Sequence, residues 1–192
     1  GVQTCALPIL LSYDGRETAP SNVNPDLFMR SDGTPRGFIE AVVGGQSVGV
    51  PGVVRMLALA HRHHGRLPWA KLFEPAIRLS EEGFVVSARL NRLLAWRRPD
   101  RFCADARRYF FDAEGKPRQP GERLRNPEYA ATLRALAAGG AETFYRGAIA
   151  EAISRAVREA SVNPGTLTTA DIEQYAARER RPVCTTYRLH RI

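Results

Sequence analysis

The sequence predicts an α/β (α+β) fold of which this chain carries mainly a helix-rich layer. Helical spacing of apolar residues recurs from Val53 to Ala177, while strand-like stretches sit only near the two ends. A block of helices bounded by strands fits one layer of a larger α/β architecture.

The elements follow in order. Residues 10–13 read as a short strand that turns at Asp14-Gly15. Residues 18–37 are rich in Pro, Asn, Asp, Ser and Gly, so they read as loop, with a helical turn near Pro25 to Met29. Gly44-Gly45 and Val48-Gly49-Val50-Pro51-Gly52 form a second flexible stretch. A helix is predicted from Val53 to His64, stopped at Gly65, with Val53, Leu57, Ala60 and His64 on or near one stripe. Pro68 opens the next helix, on which Trp69, Leu72, Phe73, Ala76 and Ile77 share a face. Pro75 lacks an N–H and should break or kink it; Gly83 ends it. Ser87 is an N-cap for a helix to Trp96, with Leu90, Leu93 and Leu94 buried.

Residues 99–125 are polar around the aromatic patch Tyr109-Phe110-Phe111, with a turn at Asp112 to Gly115. Asn126-Pro127 supplies a cap and a first-position proline for a helix to Ala138, with Tyr129, Ala130, Leu133 and Ala137 inward. A helix from Ala148 to Ala160 places Ile149, Ile153, Ala156, Val157 and Ala160 on one side. Thr168-x-x-Asp171 reads as a capping box opening a helix to about Ala177. Val183, Thr185, Tyr187 and Leu189 alternate with more polar residues, which is a strand pattern.

With 192 residues and 44% hydrophobic content the chain is large enough for one globular domain with a core. Its formal charge of +8 invites a nucleic-acid or anionic partner. The arginines are scattered over polar helix faces, however, and the basic clusters lack interleaved aromatics or a binding motif. Cys5, Cys103 and Cys184 form no CxxC pair, which speaks against cysteine metal ligation; a Cys103–Cys184 bridge stays open. No apolar stretch reaches the ~20 residues of a membrane span, and residues 1–10 lack the pattern of a signal peptide. Val2 to Ile9 resembles the translation of a common sequencing adaptor, so residues 1–9 are expected to be an assembly artefact and 10–192 the domain. The chain stops at Ile192 inside a strand-like pattern, so both ends read as cut.

P-loop, GxSxG, HExxH and dinucleotide fingerprints are absent. His61 and His64 lie three apart on the first long helix, but no Asp, Glu or Cys completes a metal site at helical spacing; a helix C-terminus favouring cationic side chains is the simpler account. Arg16 stands between Asp14 and Glu17 in a turn-rich segment. Its guanidinium fork matches a ligand carboxylate, yet it equally suits its own acidic neighbours, and residue chemistry leaves both open.

The run Asp14-Gly15-Arg16-Glu17-Thr18-Ala19-Pro20 resembles a signature early in the large subunit of γ-glutamyltransferases (γ-glutamyltranspeptidases). Val48-Gly49-Val50-Pro51-Gly52, His64-Gly65-Arg66-Leu67-Pro68-Trp69, Glu74 to Leu79 and Glu82-Gly83-Phe84 follow in the family's order. So do Phe144-Tyr145-Arg146-Gly147, Ile149-Ala150, and Leu167-Thr168 through Asp171-Ile172 and Tyr175. Each motif is weak alone; in this order, over residues 10–192, they are specific.

The resemblance implies an N-terminal-nucleophile hydrolase with a four-layer αββα core, of which this chain holds mainly the helix-rich part of the large subunit. It implies a precursor that cleaves itself, so that the new N-terminal threonine of the small subunit attacks a γ-glutamyl amide with its own amine as base. It makes Arg16 the substrate-binding residue, holding the α-carboxylate of a glutathione-like γ-glutamyl compound. It implies no cofactor, no metal, no membrane span and no nucleic acid. The partner it implies is the small subunit of the same precursor, and the compartment the periplasm or the exterior. No catalytic residue falls in this chain, because neither Thr168-Thr169 nor Thr185-Thr186 is followed by the His and Ser of the nucleophile motif. The chain alone is therefore expected to be inactive. Three other readings are a basic nucleic-acid-binding module built on Arg97, Arg98 and Arg101 beside Trp96, a related acylase or depolymerase, and a pseudo-subunit.

Overall fold

A computed structural model describes residues 11–191 apart from Arg98, Cys184 and Leu189. In chain order its elements are β1 (Ser12–Asp14), α1 (Phe38–Val42), α2 (Val53–His64), α3 (Glu74–Glu82), β2 (Phe84–Val85), α4 (Ala88–Trp96) and α5 (Ala104–Phe110). There follow β3 (Arg123–Leu124), α6 (Pro127–Gly139), α7 (Glu142–Tyr145), α8 (Ala148–Arg158), α9 (Thr169–Gln174), β4 (Arg178–Arg180), β5 (Thr186–Tyr187) and β6 (His190–Arg191). Short 3-10 turns cover Trp69–Phe73 and Pro99–Arg101. Among the described residues helix dominates, and the strands pair as β1–β4, β2–β3 and β5–β6, all antiparallel. The chain divides into two compact units, residues 67–140 and the remainder.

The unit formed by 67–140 packs α3 and the Trp69–Phe73 turn against α6. Pro75 falls in the first turn of α3, where a missing N–H costs nothing, and the 3-10 geometry before it is the predicted break. Gly83 ends α3 at φ 84, a backbone state that a side chain would strain. Ser87 Oγ accepts from the Leu90 N–H at 3.1 Å and Asn126 Oδ1 from the Tyr129 N–H at 2.9 Å, so both caps form where the sequence places them. Burial departs from the expected faces. On α4 only Leu94 is buried, and Leu93 is exposed. On α6 the inward stripe is Ala130, Leu133 and Leu136, while Tyr129 is 53% exposed. Tyr129 stands in the first turn of α6, where an amphipathic side chain can keep its polar tip in water. α5 and β3 arise within the polar stretch 99–125, where the sequence pointed to no helix or strand.

In the other unit the core gathers Val50, Tyr145, Ala150, Val157, Leu167, Ile172 and Tyr175. The buried stripe of α8 is Ala150, Ser154 and Val157; Ile153 is partly buried and Ala156 exposed. Ser154 is tolerated inside because its Oγ donates to the Leu167 carbonyl at 2.9 Å. Helix α2 has the predicted bounds, but Val53 and Leu57 are exposed and the side turned to the core is that of Val54. α1 and α7, both short, have no counterpart among the predicted elements. The single strand expected over 183–189 is instead a small β5–β6 hairpin, turned by Arg188 at φ 54, with Val183 exposed; Cys184 and Leu189 lie outside the described residues. The strand that pairs with β1 is β4, in register Ser12↔Arg180, Tyr13↔Glu179, Asp14↔Arg178.

Helix α9 opens on a complete capping box. Thr168 Oγ1 accepts from the Asp171 N–H at 3.1 Å, and Asp171 Oδ2 accepts from the Thr168 N–H at 2.9 Å. Asp171 Oδ1 also accepts from the Ser21 N–H at 2.9 Å, pinning the loop after β1 to α9. Partial burial pushes the Asp171 carboxyl upward, but the bonds from Thr168 and Ser21 outweigh it and hold the group at about 2. Its folded value lies below its ordinary value of 3.8, so the stabilisation is complete above that value and is lost as pH falls toward about 2. Thermal melting followed between pH 6 and 2 should show this acid-labile component in the native chain and lose it in Asp171→Asn, whose melting temperature at neutral pH should be lower by the equivalent of ~1 kcal/mol.

Candidate functional site

The segment 14–18 is held by its backbone. Asp14 Oδ2 accepts from Arg180 Nε and Nη2 at 2.9 and 2.8 Å, tying the end of β1 to β4. Its Oδ1 accepts from the Arg16 N–H at 2.9 Å, which turns the chain out of the strand. These bonds, the Arg16 N–H first and the Arg180 guanidinium next, hold the Asp14 carboxyl below its ordinary range. The Arg16 carbonyl accepts from Tyr175 Oη at 2.8 Å, and the Thr18 carbonyl from the Val50 N–H at 2.8 Å.

Glycines let the strands of this site approach. A Cβ on Gly15 would meet Met56 Cβ at 2.5 Å, and one on Gly49 would meet Glu17 Cγ at 2.9 Å. A Cβ on Gly52 would run into Tyr175 Oη and lie 2.5 Å from the Gly15 carbonyl. The run Val48-Gly49-Val50-Pro51-Gly52 is thus the floor on which Gly15-Arg16-Glu17 rests.

The Arg16 side chain is free by comparison, 81% exposed, with its Nε donating to Glu17 Oε1 at 3.1 Å. The inner edge of the fork thus meets an acidic neighbour, and the Nη groups have no protein partner among the described residues. Beside this segment runs a groove of about 190 Å³ lined by Glu17, Thr18, Leu27, Phe28 and Val48 among others.

Beneath the segment lies a polar network that sequence reasoning missed. The Arg55 guanidinium donates to Glu142 Oε1 and Oε2 at 3.0 and 2.8 Å, to the Glu173 carbonyl at 2.9 Å and to the Tyr175 carbonyl. It lies 4.1 Å from the centroid of the Tyr145 ring, and the main-chain N–H of Arg55 donates to Tyr145 Oη at 2.9 Å. The rings of Tyr145 and Tyr175 stack at 6.3 Å and 15°. Burial pushes both phenols up, and the Asp14 carboxylate raises Tyr175 further, so Tyr175 stays a donor. The sequence carried no signal for it, because Arg55 falls beside Arg62 on the polar face of α2 and reads there as an ordinary solvated arginine.

The histidines of α2 are brought to β1. Tyr13 Oη lies 3.0 Å from His63 Nδ1 and 2.8 Å from His64 Nε2, and His63 Nδ1 is 3.8 Å from Glu179 Oε1. Among the described residues no group of three His, Cys, Asp or Glu side chains is arranged to hold a metal. In the other unit Arg97 lies 4.9 Å over the exposed Trp96 ring; Arg98 lies outside the described residues. Cys103 is a free, exposed thiol, and Cys184 lies outside the described residues. No helix among the described residues is long and apolar enough to cross a membrane.

Residues 8–192 match the family model described as gamma-glutamyltranspeptidase. The chain is 34% identical over 175 residues to "Glutathione hydrolase 2" of Arabidopsis thaliana, covering 91% of this chain and 29% of that protein. It is 36% identical over 165 residues to "Glutathione hydrolase 5 proenzyme" of Homo sapiens, covering 84% of this chain and 27% of that protein. The crystal structure of Helicobacter pylori gamma-glutamyltranspeptidase superposes with a TM-score of 0.86 at 28% identity, over 95% of this chain and 51% of that one. The chain therefore spans less than a third of the length of these curated relatives. Gly52→Ala should place a methyl against Tyr175 Oη and the Gly15 carbonyl; urea unfolding should report a loss of roughly 1–3 kcal/mol.

Proposed function

The chain belongs to the gamma-glutamyltranspeptidase family, and on that premise we propose that it is part of the large subunit of an enzyme that cleaves γ-glutamyl amides such as glutathione and passes the γ-glutamyl group to water, an amino acid or a peptide. The observation that carries this reading is Arg16: its backbone is fastened on both sides while its Nη groups face solvent without a protein partner among the described residues. A fork so presented receives the α-carboxylate of a γ-glutamyl group bidentately. Glu17 on Nε fixes the plane of the guanidinium and leaves its outer edge to the ligand.

A carboxylate held at one end of a γ-glutamyl chain sets the position of the amide carbonyl at the other, and that positioning is the catalytic contribution of this chain. The nucleophile is a threonine at the start of a small subunit released from the same precursor, with its own amine as base. Oxyanion donors there stabilise the tetrahedral intermediate. The names of the relatives support the substrate class, and the word proenzyme in one of them supports the precursor. The same reading places the protein in the periplasm or outside the cell.

Steady-state kinetics of the full-length protein on a γ-glutamyl anilide test the assignment. Arg16→Ala should raise KM about 10- to 100-fold, the loss of charge-assisted hydrogen bonds, with a smaller change in kcat. An unchanged KM would remove Arg16 from the site. The 192-residue chain alone, which contains no threonine followed closely by His and Ser, should hydrolyse the anilide no faster than buffer; turnover above that background would overturn the assignment of the nucleophile to another subunit.

A further inference from the structure

We propose that Tyr175 and Arg55 are positioning residues for the carboxylate-binding arginine: the hydroxyl of Tyr175, a residue whose main-chain carbonyl Arg55 holds, sets the direction in which Arg16 points. The proposal rests on the reading of Arg16 given above.

The Arg16 side chain is mostly exposed and, among the described residues, is bonded to a neighbour in the same loop, Glu17. Its direction is therefore set by the peptides on either side of it. The preceding peptide is fixed by Asp14, which accepts the Arg16 N–H. The carbonyl of the following peptide is held by Tyr175 Oη, which donates to it at 2.8 Å. A long side chain converts a small rotation of that peptide into a large displacement of its guanidinium, and catalytic positioning is sensitive to about 1 Å.

Tyr175 is built to hold still. It is 6% exposed and packs in the core with Val50, Tyr145 and Ile172. Its ring lies under Gly52, where any side chain would displace the hydroxyl. Its carbonyl and that of Glu173, at the C-terminal end of α9, are orphaned by the end of the helix, and both are taken by Arg55 Nη1. Arg55 Nη2 is locked on both oxygens of Glu142 from α7. The bonded path runs from α7 through Arg55 to the end of α9, then through the Tyr175 ring to the Arg16 carbonyl. Tyr175 is buried and both Arg55 Nη groups are taken by protein acceptors, so the proposed effect on substrate passes through Arg16.

Tyr175→Phe removes one oxygen and keeps the packing. In the full-length protein it should raise KM for a γ-glutamyl anilide about 5- to 10-fold, leave kcat within about two-fold, and add nothing to KM in an Arg16→Ala background. Arg55→Lys keeps the charge but not the fork; it should shift KM in the same direction and likewise add nothing when Arg16 is absent. If Tyr175→Phe is not recovered folded, Arg55→Lys decides on the same criterion. An unchanged KM in these variants, with Arg16→Ala still raising it, overturns the positioning role and leaves the Arg16 reading intact. An equal rise with and without Arg16 also overturns it, because a merely structural defect does not depend on the arginine. If Arg16→Ala itself leaves KM unchanged, the Arg16 reading falls and this proposal with it.

Discussion

The Arg55 guanidinium joins stretches of chain that are nearly 120 residues apart, and the arrangement of the site rests on that junction. A short helix such as α9 leaves its last carbonyls without intrahelical partners. Arg55 supplies donors to two of them, while Glu142 balances the charge from a third element. Burying most of a guanidinium is costly unless its donors are used. Here four acceptors and the Tyr145 ring face take it, and the Nε alone is buried without a partner.

Around this polar junction the apolar core is modest. Tyr145, Leu167, Ile172, Val50 and Val86 are the largest fully buried side chains, divided between two units. Much of the site is consequently organised by directed contacts: the Asp14–Arg180 pair at the strand end, the Thr18–Val50 bridge, and the triple use of Asp171 by Thr168 and Ser21. The glycines at 15, 49 and 52 make the arrangement feasible, because each occupies a place where a methyl group would collide with the opposing segment. Rigidity is thus concentrated in the backbone around Arg16, while its guanidinium remains solvated and available.

Local features were legible in the sequence, and distant ones were not. Ser87, Asn126-Pro127 and the Thr168–Asp171 box form the caps that their residue types announce, since a cap involves only neighbours within four residues. The bounds of α2 were legible for the same reason. The buried faces of α6 and α8 were only partly so: Leu136 and Ser154 displace Tyr129 and Ala156, because apolar side chains spread around a helix allow more than one inward stripe. Nor did alternation over 183–189 identify the partner of β1, which is β4, an arginine-rich stretch held by the charge of Asp14.

The sequence by itself determined the family, through short motifs in a fixed order, the turn that carries Arg16, and the caps that start the helices. These depend on residue type and local spacing alone. Only the tertiary structure decided that Arg16 has its peptide gripped and its fork free, and that Tyr175 and Arg55 stand behind it. Those contacts join Arg16 to a residue 159 positions away, and at such a separation the partner is selected by how the elements pack.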